Sequence, residues 1–503
     1  MGRETFGEVH VVSDLHLGGG QGAQIFDQGK ELAGLILHLA NQPASAGEPL
    51  ALVLNGDVVD FLAGDDALDF DPDHAVTKLD RIIADPSFNP VFRALSAFLG
   101  KANHRLVIAI GNHDVELGLP PVRWRLLQHL CRSPDAPNPP AESDGIDEIR
   151  RGRLEFSLDG TGWSVNVGRT RVLVVHGNEV DDWNIVDHAT LREVSEAMLA
   201  GAPYPKWRGN AGTRLVVDVM NDVKKKWPVV DLLKPEGKAL VAVLTALDPS
   251  QLGRLRELGP TLVRYAGTSV GRFFGLLGAE GEAPSSSQRD AALAYLLGTT
   301  ATPGHMPRNL LEEAETHLQR GVAPMALAEA NAAGAQQLGA GGMVADLVRR
   351  RSPEENLREA LAKWLRWDVS FAPGTKDDTF EQLDRSVSPD VGVVIAGHTH
   401  LERALPRSTG GGVYFNSGTW ARLIQLPPGV LDDAAAFSEI YDAFTRGTLA
   451  ALDALPGLVL RRPTVVSVWR EGGQTLGELR RVQLGAPGVR LEPVPETRLT
   501  PRA

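Results

Sequence analysis

Five short segments of the chain carry side chains that can hold cations or move protons. They are Asp14-Leu15-His16, Gly56-Asp57-Val58-Val59-Asp60, Gly111-Asn112-His113-Asp114, His176-Gly177-Asn178 and Gly397-His398-Thr399-His400. The sequence has 13 histidines, and five of them fall in these segments. Each segment directly follows an apolar run, and in open α/β sheets ligands bind beyond the carboxyl ends of strands. Residues two apart, such as Asp14/His16 and His398/His400, point the same way only while the chain stays extended. The glycines permit tight turns and close approach by a ligand. A lone Gly-Asp or His-Gly means little, but five such segments in order, all at strand ends, are poorly explained by chance.

Imidazole and carboxylate without thiolate suit Mn²⁺, Fe or Zn²⁺ rather than a soft metal. The seven candidate ligands Asp14, His16, Asp57, Asn112, His176, His398 and His400 are too many for one tetrahedral ion. They suit two divalent ions about 4 Å apart that share a bridging carboxylate. Such a pair activates a water and neutralises charge on a phosphoryl oxygen.

The elements that must position these groups are legible as β-branched runs at 9–14, 50–57, 105–114, 171–178, 391–400 and 412–420. Helical patterns at 30–40, 75–84 and 91–102 separate the first of them, which implies βαβ units with both sheet faces covered. Two runs flanking Gly472-Gly473 read as a terminal hairpin. The stretch 185–385 is different: rich in Ala, Leu, Glu and Arg, it has helical periodicity and few strand signals. It is too long for a plain loop. The expected organisation is therefore a core of 1–184 and 386–503 interrupted by a helical insertion or cap at 185–385.

Over 503 residues, 43% hydrophobic and 23% charged side chains give ordinary globular composition, which excludes disorder as the main state. The single cysteine, Cys131, excludes an intrachain disulfide and a Cys-rich metal site. It reads as a small buried apolar residue. A net charge of −12 does not attract long nucleic acids in general. No transmembrane run, signal-peptide pattern or complete myristoylation motif is present, so the expected location is cytoplasmic.

The order D-x-H, G-D-x-x-D, G-N-H-D, H-G and G-H-x-H resembles the calcineurin-like metallophosphoesterase family. The resemblance covers 9–178 and 391–420. It implies an α/β fold, a β-sandwich flanked by helices, with a dinuclear metal centre in the loops at one sheet end. By that resemblance Asp14, His16 and His400 bind the first ion, Asp57 bridges, and Asn112, His176 and His398 bind the second, with Mn first among the metals and Fe or Zn as alternatives. Metal-activated hydroxide attacks phosphorus, His113 assists the leaving group or steadies the phosphate, and Asp60 orients His113. Asp60 read without the resemblance is an N-cap or loop carboxylate. Asp114 is read as structural. Asn178 and Asn416 either bind phosphate or stabilise turns.

Departures narrow the resemblance. Phosphoprotein phosphatases of this superfamily carry Arg-Gly after G-D-x-x-D and Glu after G-N-H; here Phe61-Leu62 and Asp114 stand there. The segments SDLHLG and GDVVDF are similar to those of bacterial hydrolases that cleave the pyrophosphate of UDP-diacylglucosamine. His113 replaces the arginine of their G-N-R-D, and their cap is much smaller. Both departures weaken the carry-over of that lipid substrate; the expected substrate is a small or lipid-like phosphoester. The alternatives are a nucleotide or nucleic-acid phosphodiesterase, a lipid-pyrophosphate hydrolase and a metal-binding scaffold with an interaction lobe. Lys206-Trp207-Arg208, Lys224-Lys225-Lys226-Trp227 and Arg349-Arg350-Arg351 are either an anion-holding rim with stacking aromatics or solvated helix faces. The segment 270–278 reads as cap core or as the lining of an acyl channel.

Overall fold

A computed structural model describes residues 4–42, 47–64, 66–132, 145–234, 352–365, 368–426, 428–485 and 488–502. The chain forms two compact units: Met1–Pro228 with Val369–Ile424 and Thr448–Ala503, and Val229–Asp368 with Gln425–Gly447.

The larger unit holds fifteen described strands: β1 (Thr5–Phe6), β2 (Glu8–Val12), β3 (Leu50–Asn55), β4 (His104–Ala109), β5 (Leu154–Ser157), β6 (Trp163–Val167), β7 (Thr170–Val174), β8 (Val391–Ala396), β9 (Glu402–Pro406), β10 (Val413–Ser417), β11 (Leu423–Ile424), β12 (Val459–Leu460), β13 (Thr464–Glu471), β14 (Gln474–Gly485) and β15 (Gly488–Pro493). A seven-stranded sheet runs β15-β14-β13-β2-β3-β4-β5, and a six-stranded sheet runs β1-β6-β7-β8-β10-β9. In the first, β2 to β5 are parallel, and β13 joins β2 antiparallel. In the second, β7, β8 and β10 are parallel.

The period of two along each strand explains why these runs are apolar throughout. Ala51 and Val53 of β3 pack with Val9, Val11, Val107, Val172, Val174, Val393 and Ile395 between the sheets. Leu50, Leu52 and Leu54 face the other way, onto helices α1 (Gly29–Ala40), α2 (Ala75–Ala84), α3 (Asn89–Leu99) and α4 (Pro120–Leu130). α1 buries Leu32, Leu35, Ile36 and Leu39, the three-and-four spacing of an amphipathic helix. On the far side of the second sheet, Phe380 and Leu383 of the helix Asp378–Ser386 pack on Val391, Val394 and Tyr414. The result is a β-sandwich with helices on both outer faces.

α2 spans the residues anticipated from periodicity, whereas α3 ends at Leu99 rather than at 102. The expected hairpin is β13–β14, closed by Gly472 and Gly473 at φ 60° and 81°. Two successive left-handed residues make the two-residue turn that matches strand twist. The helix His188–Leu199 lies in the larger unit, where Leu191, Val194 and Trp207 join the core beneath α4. The smaller unit contains the helices Pro353–Leu365, Pro428–Asp432 and Ala434–Thr445, and Arg358 Nη1 donates to Leu431 O at 3.1 Å. The helical patterns at 253–266 and 308–320, the apolar segment 270–278, the stretches 278–290 and 326–342 and the 349–351 arginines lie outside the described residues. So does all of the Pro-rich stretch 133–145 except Gly145. No helix among the described residues is long and apolar enough to cross a membrane.

Candidate metal centre

Each of the five segments continues the C-terminal end of a strand: β2, β3 and β4 of one sheet, β7 and β8 of the other. Among the described residues, three groups place a ligand atom from each member within 4.8 Å of one another: Asp14/His16/His400, Asp57/His176/His398 and His16/Asp60/His113. In the first, His400 Nε2 lies 3.4 Å from Asp14 Oδ1 and 3.0 Å from His16 Nε2. In the second, His176 Nε2 lies 3.3 Å from Asp57 Oδ2, the same oxygen that is 3.8 Å from His16 Nε2. Asp57 therefore stands between the two. Asp60 reaches both ways: Oδ2 is 3.1 Å from His16 Nδ1 and Oδ1 is 3.2 Å from His113 Nδ1.

The backbone achieves this convergence by an unexpected route. Asp14, His16, Asp57, His398 and His400 have φ between 48° and 68°, in the left-handed region. They are five of the seven described non-glycine residues at positive φ. The extended strand end anticipated for Asp14/His16 and His398/His400 is thus replaced by two kinks at alternate residues. The chain turns sharply at each of these residues, so neighbours two apart meet without continuing the strand. Such residues cost of order 1–3 kcal/mol each and persist where surrounding bonds over-determine them. Those bonds are present. His16 N donates to Asp57 O (2.9 Å), Thr419 Oγ1 to Asp14 O (2.6 Å) and His398 N to both carboxylate oxygens of Asp14 (3.0 Å each). Ser13 Oγ also donates to Asp14.

Gly111 shows why the motif needs a glycine. A Cβ there would collide with Asp57 Oδ1 and lie 2.8 Å from His176 Nε2.

Hydrogen bonds fix which ring nitrogens carry lone pairs. His176 Nδ1 donates to Asn55 O at 2.7 Å, which leaves Nε2 as the acceptor. That Nε2 is buried and has no hydrogen-bond partner, and neither has the buried Oδ1 of Asn112. Orphaned buried acceptors cost about 1–3 kcal/mol each unless a positive group meets them. Burial opposes a charge on His176, but Asp57 and Asp14 outweigh it and raise its pKa well above the usual value. The site demands positive charge, from a proton or from a cation. Imidazole nitrogens, carboxylates and an amide oxygen are a donor set that fits divalent metal.

His113 is pushed up to about 9: burial lowers it, but the charges of Asp60 and Asp57 prevail. Burial works to raise the carboxyl of Asp60, and the two histidines hold it well below the usual range. Asp57 is likewise depressed against burial, by His176 and His113. Asp114 behaves oppositely. Burial and the Asp57 charge raise it to about 7. It accepts from Gly111 N (2.6 Å) and Val58 N (2.8 Å) and so pins the turns after β4 and β3 together.

Asn416 accepts from Gly418 N (2.9 Å) and donates to Gly397 O (2.6 Å), which makes it a turn residue. Asn178 donates to Asn184 O at 2.9 Å. Trp207 and Trp227 are buried, and Trp207 packs on Phe70 with ring centroids 4.8 Å apart, so neither ring offers an open stacking face. Sequence reasoning missed Asp181, whose Oδ2 lies 2.9 Å from His398 Nε2. It belongs to a polar loop after β7 that matches no motif.

Residues 8–235 match the family model of the calcineurin-like phosphoesterases. The match ends before Gly397–His400, which the fold nonetheless brings to the same centre. No match to a curated protein is found.

Proposed function

We propose that this chain, whose residues 8–235 match the calcineurin-like phosphoesterases, is a hydrolase acting on phosphoesters and works with two divalent ions, Mn²⁺ foremost. The observation that carries the reading is the pair of groups sharing Asp57: Asp14/His16/His400 on one side, His176/His398 on the other. Asp14, His16 and His400 would hold one ion. Asn112, His176 and His398 would hold the other, with Asp57 common to both. When bound, the ions lower the pKa of a water and offset charge on the phosphoryl oxygens.

The chain's own residues supply the rest. The charges of Asp60 and Asp57 raise His113 to about 9, which favours the protonated ring that a general acid needs. Its Nδ1–H is held by Asp60, so Nε2–H is the proton offered to the leaving oxygen. Asp60 also orients His16, which couples the proton donor to the first ion's ligands.

The substrate within this proposal is a small or lipid-like phosphoester, and buried Trp207 and Trp227 favour it over a stacked single-stranded nucleic acid. A cytoplasmic setting belongs to the same proposal. The test uses metal-stripped protein reloaded with Mn²⁺ and assayed on an aryl phosphate monoester and a bis-aryl diester. Hydrolysis of either by the wild type and not by Asp57→Asn supports the reading. Two ions bound with neither ester cleaved would point instead to a binding protein.

A further inference from the structure

The loop after β7 carries a side-chain relay that sequence motifs do not mark. Asn184 Nδ2 donates to Asp181 Oδ2 at 2.8 Å, and that oxygen lies 2.9 Å from His398 Nε2. Asn184 Oδ1 accepts from Asn112 Nδ2 at 3.3 Å. One amide thus bonds one candidate ligand, Asn112, directly and reaches another, His398, through Asp181. With Nε2–H given to Asp181, the lone pair of His398 sits on Nδ1. With Nδ2 given to Asn184, the amide of Asn112 is turned so that Oδ1 is the atom left buried and without a partner. Both consequences favour metal ligation by the same pair of residues.

The relay is itself held. Asp181 accepts from Trp183 N at 3.0 Å. Asn184 O accepts from Asn178 Nδ2 (2.9 Å) and Asn210 Nδ2 (3.1 Å). Gly212 N donates to Trp183 O at 2.8 Å, and a Cβ at Gly212 would run into Asn184 Oδ1. Asn210, which caps the helix Ala211–Leu215, therefore helps lock the loop from the side remote from the centre.

Resting on the dinuclear reading above, we propose that Asn184 and Asp181 are positioning residues that set the affinity of the second ion by fixing the rotamer of Asn112 and the tautomer of His398. Their partners Asn112 and His398 both belong to the second ion's set, so the first ion should be indifferent to them. Outer-shell partners of this kind change metal affinity by about 10- to 100-fold when removed.

The experiment is equilibrium dialysis of stripped protein against graded free Mn²⁺, with bound metal counted by elemental analysis and folding followed by circular dichroism. Wild type should bind two ions. Asn184→Ala and Asp181→Ala should each keep one ion at wild-type affinity and weaken the other by about 10- to 100-fold. Asp181→Asn, nearly isosteric and still an acceptor for His398 Nε2–H, should recover part of the loss and covers the case in which an alanine variant fails to fold. Electron paramagnetic resonance at one equivalent of Mn²⁺ should show an isolated ion in the variants. Wild type binding fewer than two ions would overturn the dinuclear reading and this inference with it. Wild type binding two while folded variants hold both at unchanged affinity, or lose both equally, would overturn the positioning role alone.

Discussion

The two ends of the candidate metal centre are built from different materials. Asp14, His16 and His400 sit against buried groups: Thr419 and Ser13 fix Asp14, and Asp60, 7% exposed, fixes His16. The Asn112/His176/His398 end combines one deep support, the Asn55 carbonyl on His176, with a loop support whose carboxylate, Asp181, is a third exposed. The first end is also wired to His113, because Asp60 binds His16 and His113 at once. The second is wired to a polar loop. On the proposed reading, the difference would tie the first end to the chemistry and leave the second open to adjustment.

The strongest way to break the contrast is to remove what both ends share. Asp57→Asn should reduce activity to background and lower the content of both ions, read by elemental analysis; loss confined to one ion would mean that Asp57 belongs to one end only. Next in size is His16→Ala against His398→Ala. The first should lose an ion and also free Asp60, so its turnover should fall further than that of His398→Ala when both are assayed at saturating Mn²⁺. Equal losses would dissolve the coupling drawn through Asp60.

His113→Ala should lower kcat by about 10²- to 10⁴-fold, the usual range for a general acid, with metal content unchanged. Metal loss matching that of Asp57→Asn would make His113 part of the metal-holding set instead. The smallest effect lies away from both ends. Glu116 is buried, and burial raises its carboxyl to about 7. Its folded value exceeds its unfolded one, so its contribution to stability is complete below pH 4.5 and lost as pH rises through 7. Glu116→Gln should flatten the fall of the denaturation midpoint across that window and leave metal binding alone. An unchanged slope would show that Glu116 ionises freely in the folded protein.

Much of this was legible in the residues. The β-branched runs marked β2, β3, β4, β7, β8 and β10, because strands buried on both faces must be apolar at every position. The chemistry-bearing residues were legible because they interrupt those runs abruptly. The backbone at the ligands was not. Asp and His reveal no left-handed preference strong enough to read, and only tertiary bonds impose it. β9 was hidden for another reason: Glu402 and Arg403 look like surface residues, yet both are buried through partners remote in sequence, Arg481 and Thr464 for one and Asp377 for the other. Asp181 and Asn184 were invisible because their role depends on where a loop folds back, and no spacing encodes that.

The candidate ligand set is drawn from both layers of the sandwich. Asp14, His16, Asp57 and Asn112 follow strands of the seven-stranded sheet, and His176, His398 and His400 follow strands of the six-stranded one. Any ion gripped by both is a rivet through the two layers, and it ties the chain before residue 178 to the chain after residue 391. By mass action the folded state then gains RT ln(1 + [M]/Kd), about 2.7 kcal/mol when free metal is a hundredfold above Kd. The protein's melting temperature would then be a readout of the metal concentration around it, and a chelator would act on it as a mild denaturant.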